Sequence, residues 1–363
     1  MGGRLRRAQA GFLVLWGGLG VLAPAGAGSA AEPSVRVLLA DSAEAVEVRR
    51  GGDQTSLRPA PEGVRANGQL SGGVWRAGGD QPIVVDGVRV RGSVEVDRVA
   101  GGLRVVNEVP LEDYVAGTVG REVYAFWSAE TLKAQAVVSR TYALHERALR
   151  ARRAFHVVGG TRGQVYGGVD AESPTVLAAT QATRGEYLSW RSKPILAVFH
   201  SASGGQTASA EEVWGRPAPY LLSLPVENEE DSPDAYWRAS ISGTTLGRAL
   251  ARLGFQIGTV REVRVVQRTP SGRALRVEVR GDGGDSKLGA RELRSALGEN
   301  VIRSTLFEIR PAEGVFTFVG AGHGHGVGMS QWGAEAMARR GAGYRRILAT
   351  FFPGTELSQG LTR

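Results

Sequence analysis

The stretch VPLEDYVAGTVGREVYAFWSAETLKAQAVVSRTYALHERAL, residues 109–149, decides the fold that we expect. Residues 111 to 120 predict a short helix with two acidic side chains in its first turn, where negative charge favours the helix dipole. A longer helix is predicted over residues 128 to 150, because Ser128 is a good N-cap residue and apolar side chains recur at helical spacing after it. We therefore expect two consecutive helices, preceded by a β-rich segment that Pro110 ends.

Glu122 stands between the two predicted helices and is the first candidate for a chemical role. The residues after it are largely apolar and aromatic: Val123, Tyr124, Phe126 and Trp127. A carboxyl group in such surroundings is disfavoured as an anion, so its pKa moves towards the range that suits a general acid. The sequence therefore predicts Glu122 as a catalytic acid.

Two cations of the longer helix are a second candidate feature. Lys133 and Arg140 are seven residues apart and so lie on nearly the same face, with the small residues Ala136 and Val137 between them. This pattern favours two side chains that reach over a cleft. An ordinary solvated helix face is the alternative that the spacing leaves open.

The composition is that of a folded globular chain. Of the 363 residues, 42% are apolar and 22% charged, and the 52 glycines indicate many turns. The chain has no cysteine. Disulfides, cysteine nucleophiles and thiolate metal sites are therefore excluded.

The predicted fold class is α+β. Residues 31–108 alternate apolar and polar side chains between glycine pairs, which predicts a β-rich N-terminal module. Residues 109–226 and 308–363 are expected to form a core with long helices. Residues 227–307 are expected to form an inserted small α+β unit, with a hairpin around the turn TPSG, and the acidic loop at residues 227 to 240 is expected to be solvated.

Residues 1–30 have the layout of a secretory signal peptide: three arginines, an apolar run of 12 residues and a small-residue tail. Candidate cleavage sites follow Ala27, Ala30 and Ala31. We expect export to the periplasm or cell envelope; an uncleaved segment that holds the protein at the membrane is the alternative. The formal charge of +8 falls to +5 when the three arginines leave, and the basic residues form no long cluster with aromatics, so nucleic acid is not an expected partner.

The histidines raise the question of a metal. His323 and His325 lie in the loop GHGHGVG, and His200 ends the predicted strand PILAVFH. Three histidines could form a site similar to those that bind catalytic zinc. Alternatively, histidines in a glycine-rich loop could form hydrogen bonds to a substrate. An HExxH pattern is absent, and neither Ser201 nor Ser203 stands in a G-x-S-x-G elbow, so metal and serine chemistry rank below the carboxylate.

Four blocks resemble, in this order, the motifs of the SpoIID/LytB domain family: VPLEDYVAGTVGREV, ETLKAQAVVSRTYAL, FHSASGGQTASAEEVWG and GHGHGVGMSQWGAEAMARRGAGYRRILATFFPGTEL. The stretches RGSVEV, PSGR and STLF fit the same pattern. The resemblance covers residues 90 to 357. It implies a bacterial cell-wall protein.

The two branches of that family imply different functions. The SpoIID branch resembles lytic transglycosylases that cleave peptidoglycan glycan strands lacking stem peptides, and the LytB branch is known to enhance a cell-wall amidase. The family's catalytic glutamate stands in a Glu-Met-Pro motif; Glu122 occupies its place here, followed by Val123 and Tyr124. Some members bind zinc partly through a cysteine, which this chain lacks, so we expect no metal and no other cofactor.

We therefore predict a lytic transglycosylase that cleaves the linkage between N-acetylmuramic acid (MurNAc) and N-acetylglucosamine (GlcNAc) and leaves 1,6-anhydroMurNAc ends. Glu122 is the predicted catalytic residue. The predicted substrate-binding residues are Lys133, Gln135, Arg140, His200, Ser203, His325 and Gln331. The competing prediction is a non-catalytic wall-binding protein that activates an amidase, and a zinc hydrolase ranks third.

Overall fold

Helices and several sheets are combined in the structure, a computed structural model that describes residues 32–160 and 163–360. Helices make up 26% and strands 37%, which confirms the predicted α+β class. The predicted signal peptide lies outside the described residues. Within them the longest helix has 21 residues, and no helical segment combines the length and the apolar character that a bilayer crossing requires.

The alternating sequence before residue 111 forms strands, as predicted. Between residues 32 and 110 they are β1 Ser34–Ala43, β2 Val46–Arg50, β3 Asp53–Ala60, β4 Gly63–Ala66, β5 Gln69–Leu70, β6 Val74–Gly78, β7 Ile83–Val85, β8 Val88–Val90, β9 Ser93–Val99 and β10 Gly102–Pro110. Six of them form one sheet in the order β5-β4-β3-β2-β7-β8.

The helical core follows directly. Its elements are α1 Leu111–Glu122, α2 Ala129–Leu149, β11 Val157–Val158, a 3₁₀ helix Gly168–Ala171, α3 Pro174–Ala182, β12 Glu186–Trp190, β13 Lys193–Pro194, β14 Phe199–His200 and α4 Ala210–Trp214. The two predicted helices are therefore confirmed. Strand β1 pairs antiparallel with β10 and parallel with β11, so the five-stranded sheet β11-β1-β10-β9-β6 joins the N-terminal strands to the chain that leaves α2.

Next come the elements β15 Trp237–Ser242, α5 Gly243–Ala251, β16 Val260–Arg268, β17 Ala274–Gly281, β18 Gly284–Gly289, α6 Ala290–Leu297, β19 Phe307–Ala312 and β20 Val315–Gly320. The predicted hairpin is present as β16 and β17, which pair antiparallel. These elements share a core of their own, formed by side chains such as Leu246, Val277 and Phe318.

The chain ends with β21 Met329–Ser330, α7 Gln331–Arg339, α8 Tyr344–Phe351 and β22 Glu356–Gln359. Strand β14 pairs parallel with β21, which places His200 beside Ser330. The run PILAVFH was expected to form one strand. It forms strand only at its two ends, because β13 turns back onto β12 whereas β14 joins β21.

The acidic segment at residues 227 to 240 corrects a second expectation, since part of it is buried. Glu229 is 5% exposed and Asp234 is 8% exposed. The Glu229 carboxylate accepts hydrogen bonds from the hydroxyls of Ser203 and Ser330 and from the backbone N–H of Gly205. These donors replace water and make burial of the charge tolerable.

Candidate active site

Helix α1 ends at Glu122, and its neighbours hold the backbone there. Val123 is extended, with φ −132° and ψ 158°, so the chain leaves the helix directly after Glu122. The side-chain amide of Gln331 donates to the Glu122 carbonyl oxygen at 3.1 Å and to the side-chain oxygen of Gln135 at 3.3 Å. Residues from α1, α2 and α7 thereby fix the position of Glu122.

The Glu122 side chain is held by a loop that the sequence did not single out. The backbone N–H of Val165 donates to Oε1 of Glu122 at 2.5 Å. This loop and the 3₁₀ helix after it pack closely on α1 because Gly117 and Gly120 have no side chains: a Cβ on Gly117 would lie 2.8 Å from the Tyr166 ring, and one on Gly120 would lie 1.9 Å from the carbonyl oxygen of Ala171. The second carboxyl oxygen, Oε2, has no hydrogen-bond partner among the described residues.

Burial raises the pKa of Glu122 from 4.5 to about 7, while the hydrogen bond from Val165 opposes part of that rise. Near neutral pH both protonation states are populated, which suits a group that gives and takes a proton. The direction agrees with the sequence prediction, but only two of the four predicted apolar neighbours are buried. Val123 and Trp127 are each 6% exposed, whereas Tyr124 and Phe126 are 52% and 80% exposed. Tyr142 and Val165 line the cleft together with Glu122.

Glu122 lines a cleft with a volume of about 940 Å³. Beyond Gln331 the cleft passes His200 and His325, and residues 269 to 299 form much of its other wall. The cleft therefore brings together four of the eight predicted site residues. The other four, Lys133, Gln135, Arg140 and Ser203, are not among its lining residues.

Two of the cleft histidines, His200 and His325, lie side by side. Their ring centroids are 5.7 Å apart, and the Trp214 ring lies 5.5 Å from His325. Burial lowers the pKa of both His200 and His325 to about 3; the nearby cation of Arg273 adds to the lowering at His200, and the nearness of His200 and of the Arg294 and Arg273 cations adds to it at His325. Both rings are therefore neutral at physiological pH.

Their hydrogen bonds fix the tautomers. Nδ1 of His200 lies 3.1 Å from the carbonyl oxygen of Val327, which only accepts, so His200 has its proton on Nδ1. Nδ1 of His325 accepts from the N–H of Val327 at 3.0 Å, so this ring has its proton on Nε2. The buried Nε2 of His200 is thus an acceptor without a partner among the described residues.

Arg140 corrects the expectation of two cations that reach over a cleft. It is fully buried, and its guanidinium donates to both carboxylate oxygens of Glu112 at 2.8 and 2.6 Å. A further bond goes to the Glu186 carbonyl oxygen at 3.1 Å. Arg140 thus joins α1 to α2 and β12, and its donors are not available to a substrate.

Lys133 and Gln135 also have partners within the protein. Lys133 donates to Glu130 at 2.6 Å and lies 5.8 Å from the centre of the Tyr344 ring. Gln135 is fully buried, and its side-chain oxygen accepts from Gln331 behind Glu122. Gln135 therefore helps to position Glu122 through Gln331 and does not line the cleft.

Ser203 is fully buried and donates to the Glu229 carboxylate at 2.5 Å. Its backbone N–H donates to the same carboxylate at 3.0 Å. These bonds occupy the hydroxyl, so the serine orders the loop after β14 and its hydroxyl is not available to a ligand.

Two family models and several known proteins match parts of this chain. A family model described as stage II sporulation protein, SpoIID, matches residues 99–190, and one described as a domain of unknown function matches residues 210–328. Stage II sporulation protein D of Bacillus amyloliquefaciens is 32% identical over 270 residues, which cover 70% of this chain and 76% of that protein. The chain belongs to the SpoIID/LytB family.

Other members are similarly related. An uncharacterized protein of Brachyspira hyodysenteriae is 32% identical, with 75% of this chain and 73% of that protein covered. The amidase enhancer of Bacillus subtilis is 29% identical, with 67% of this chain and 40% of that protein covered. Membership of the SpoIID/LytB family indicates a function connected with the cell wall.

In this SpoIID/LytB protein the sequence also left two cleft residues unassigned. His323 was weighed as a metal ligand or a hydrogen-bonding loop residue but was not among the predicted site residues; its Nδ1 lies 2.8 Å from Asp234, which Arg303 also binds. Arg273 ends the turn TPSGR and is 2% exposed. Local sequence patterns do not identify either residue, because their hydrogen-bond partners lie 70 to 89 positions away along the chain.

Proposed function

We propose that this SpoIID/LytB protein is an exported lytic transglycosylase that cleaves the MurNAc–GlcNAc linkage of peptidoglycan glycan strands. In this reaction protonated Glu122 donates its proton from Oε2 to the glycosidic oxygen as the bond to C1 of MurNAc breaks. The C6 hydroxyl of the same MurNAc attacks C1, and the Glu122 carboxylate takes the hydroxyl proton. The carboxyl group is regenerated, no water is consumed, and a 1,6-anhydroMurNAc end is formed.

The observation that carries this proposal is that Glu122, in the cleft, has one carboxyl oxygen without a partner among the described residues and a raised pKa. Hydrolysis of a glycoside normally uses two carboxylates. The other acidic side chains of the cleft are engaged: Glu212 and Glu292 cap helices, and Glu299 binds Arg294. A single acid that acts in turn as acid and base fits a substrate that supplies its own nucleophile.

The second candidate is an enhancer of a cell-wall amidase. The amidase enhancer of Bacillus subtilis is among the relatives, and Val123 and Tyr124 replace the residues that usually follow the catalytic glutamate of the family. Under this alternative the cleft binds glycan without cleaving it, and the amidase is the partner.

The test is a comparison of Glu122→Gln with the wild-type protein on peptide-free glycan strands, with products read by mass spectrometry. We expect the wild type to release anhydro-terminated fragments and the variant to lose at least about 100-fold in rate, the size of a general acid–base contribution. Glu211→Gln is the matched control, because Glu211 is exposed and outside the cleft lining.

Two outcomes contradict the transglycosylase. If the Glu122→Gln variant cleaves glycan at the wild-type rate, Glu122 has no part in the mechanism. A wild-type protein that forms no anhydro ends but accelerates a purified N-acetylmuramoyl-L-alanine amidase supports the enhancer.

A further inference from the structure

Arg273 is a buried cation in the cleft with most of its donors unused. It follows the turn between β16 and β17, and that turn is anchored by the N–H of Ser271, which donates to Glu212 at 3.2 Å. Nη2 of Arg273 donates to the carbonyl oxygen of Ser203 at 2.9 Å. Nε and Nη1 are buried and have no hydrogen-bond partner among the described residues.

The charge of Arg273 persists despite this burial. Burial lowers the pKa of Arg273 to about 10, and the carboxylates of Glu212 and Glu229 oppose the change from a distance. At neutral pH the group is therefore still a cation. Both carboxylates already accept hydrogen bonds from other groups, so they do not satisfy the free N–H donors. A buried cation in this state favours an anionic ligand.

The side chains beside Arg273 define the rest of this subsite. Its charge contributes to the lowered pKa of His200 and His325, and all three residues line the cleft. The Nε2 of His200, which has no partner among the described residues, is able to accept a hydrogen bond. The guanidinium lies against Gly326, where a Cβ would come within 2.3 Å of Nη2. The subsite therefore offers a cation and, close to it, one neutral acceptor.

One sugar of the proposed substrate has the complementary groups. MurNAc has a lactyl carboxyl group at O3 and an acetamido N–H at the adjacent C2. The lactyl group is an anion when no peptide is attached, and it becomes a neutral amide when a stem peptide is linked to it. GlcNAc has no ionisable group, so the lactyl carboxylate is the anion that a glycan strand without peptides can offer.

We propose that Arg273 binds the free lactyl carboxylate of MurNAc and thereby makes this chain selective for glycan strands without stem peptides. The acetamido N–H of the same sugar then donates to Nε2 of His200. This inference rests on the proposed glycan substrate, and it adds the residue that distinguishes peptide-free strands from peptide-bearing ones.

The experiment measures binding, so that its outcome does not depend on catalysis. GlcNAc–MurNAc oligosaccharides are prepared with free lactyl carboxylates or with the same groups converted to methylamides. Calorimetry compares their affinity for the full-length protein in a Glu122→Gln background, alone and combined with Arg273→Gln. We expect the parent to prefer the free carboxylate by about tenfold or more, and Arg273→Gln to remove that preference by weakening carboxylate binding alone.

Two further variants complete the experiment. Arg280→Gln is the matched control, because Arg280 is an exposed arginine of β17, the strand that begins directly after Arg273, and should keep the preference. Arg273→Lys retains the charge and should keep part of it. If Arg273 has only a structural role, Arg273→Gln will lower the thermal unfolding temperature, and both ligands will bind as they do to the parent.

The inference is overturned if the parent binds both oligosaccharides equally, or if Arg273→Gln keeps the preference. Failure of the proposed function has a different signature. In that case the wild-type protein forms no anhydro ends, whatever the binding experiment shows.

Discussion

The two oxygens of the Glu122 carboxyl group have different surroundings, and this difference gives the residue its chemical character. Oε1 accepts the Val165 N–H, which stabilises the anion, whereas burial favours the neutral acid and is the larger effect. As a result, the pKa of Glu122 is about 7 instead of 4.5. The proton on the acid is available at Oε2, which faces the cleft without a partner among the described residues.

This pKa makes Glu122→Gln a stability experiment as well. Between pH 4.5 and about 7 the folded protein binds more protons at Glu122 than the unfolded chain does, so the free energy of unfolding falls as pH rises through this window and is constant above it. Glutamine removes the penalty of the buried anion. We expect Glu122→Gln to be nearly neutral near pH 4 and to stabilise the protein by about 1–3 kcal/mol near pH 8.

Urea unfolding at the two pH values measures this effect, with Glu211→Gln as the exposed control. A stability difference that is the same at both pH values would show that the pKa of Glu122 is not raised by folding.

At the scale of elements, the ion pair between Arg140 and Glu112 joins α1 to α2. Both side chains are buried, and the closest contact is 2.6 Å. Removal of one partner leaves the other as an uncompensated buried charge, whereas removal of both leaves none. The pair therefore holds the helix that ends at Glu122.

We expect Arg140→Leu to lower the free energy of unfolding by about 3–5 kcal/mol, and the added change Glu112→Leu to restore a large part of that loss. Denaturant unfolding of the single and double variants measures the coupling. Lys133→Leu is the comparison on the same helix; its partner Glu130 is partly exposed, so we expect an effect below about 1 kcal/mol. Additive effects of the two buried changes would contradict this role.

The elements themselves were largely predictable, because their signals are local. The N-cap Ser173 with Pro174 after it begins α3, and its side chain accepts from the N–H of Val176 as such caps do. Ser128 was predicted as the cap of α2, and α2 does begin after it. Its hydroxyl, however, donates to Glu335 of α7 instead of capping the helix, since a tertiary carboxylate is within reach.

The partners of charged residues were not predictable from local patterns. Arg140 has a surface-type spacing with Lys133 and yet is buried, because Glu112 of the preceding helix neutralises it. Glu229 stands in an acidic stretch typical of a solvated loop and yet is buried against the hydroxyls of Ser203, in the loop after β14, and Ser330, in β21. Burial of such groups depends on partners that are distant in sequence, and the spacing of apolar residues does not predict those partners.

At the scale of the whole molecule, the cleft is assembled from parts that are distant in sequence. Glu122 comes from α1, His200 from β14, Arg273 from the turn after β16 and His325 from the loop before β21. The family motifs located Glu122 and both histidines. The stretch PSGR, which ends at Arg273, also fits the family pattern, but no role was predicted for Arg273, because its unused donors become evident only when the turn is placed against the loop of Ser203.

The central claim is that this cleft cleaves glycan with one carboxyl group and without water. Its most direct test is digestion of peptide-free glycan strands by the full-length protein in water enriched in heavy oxygen, followed by mass spectrometry of the new MurNAc ends. We predict unlabelled 1,6-anhydro ends, each lighter by one water than a hydrolysed end. Heavy oxygen at C1 of MurNAc, or strands left uncleaved, would contradict the claim.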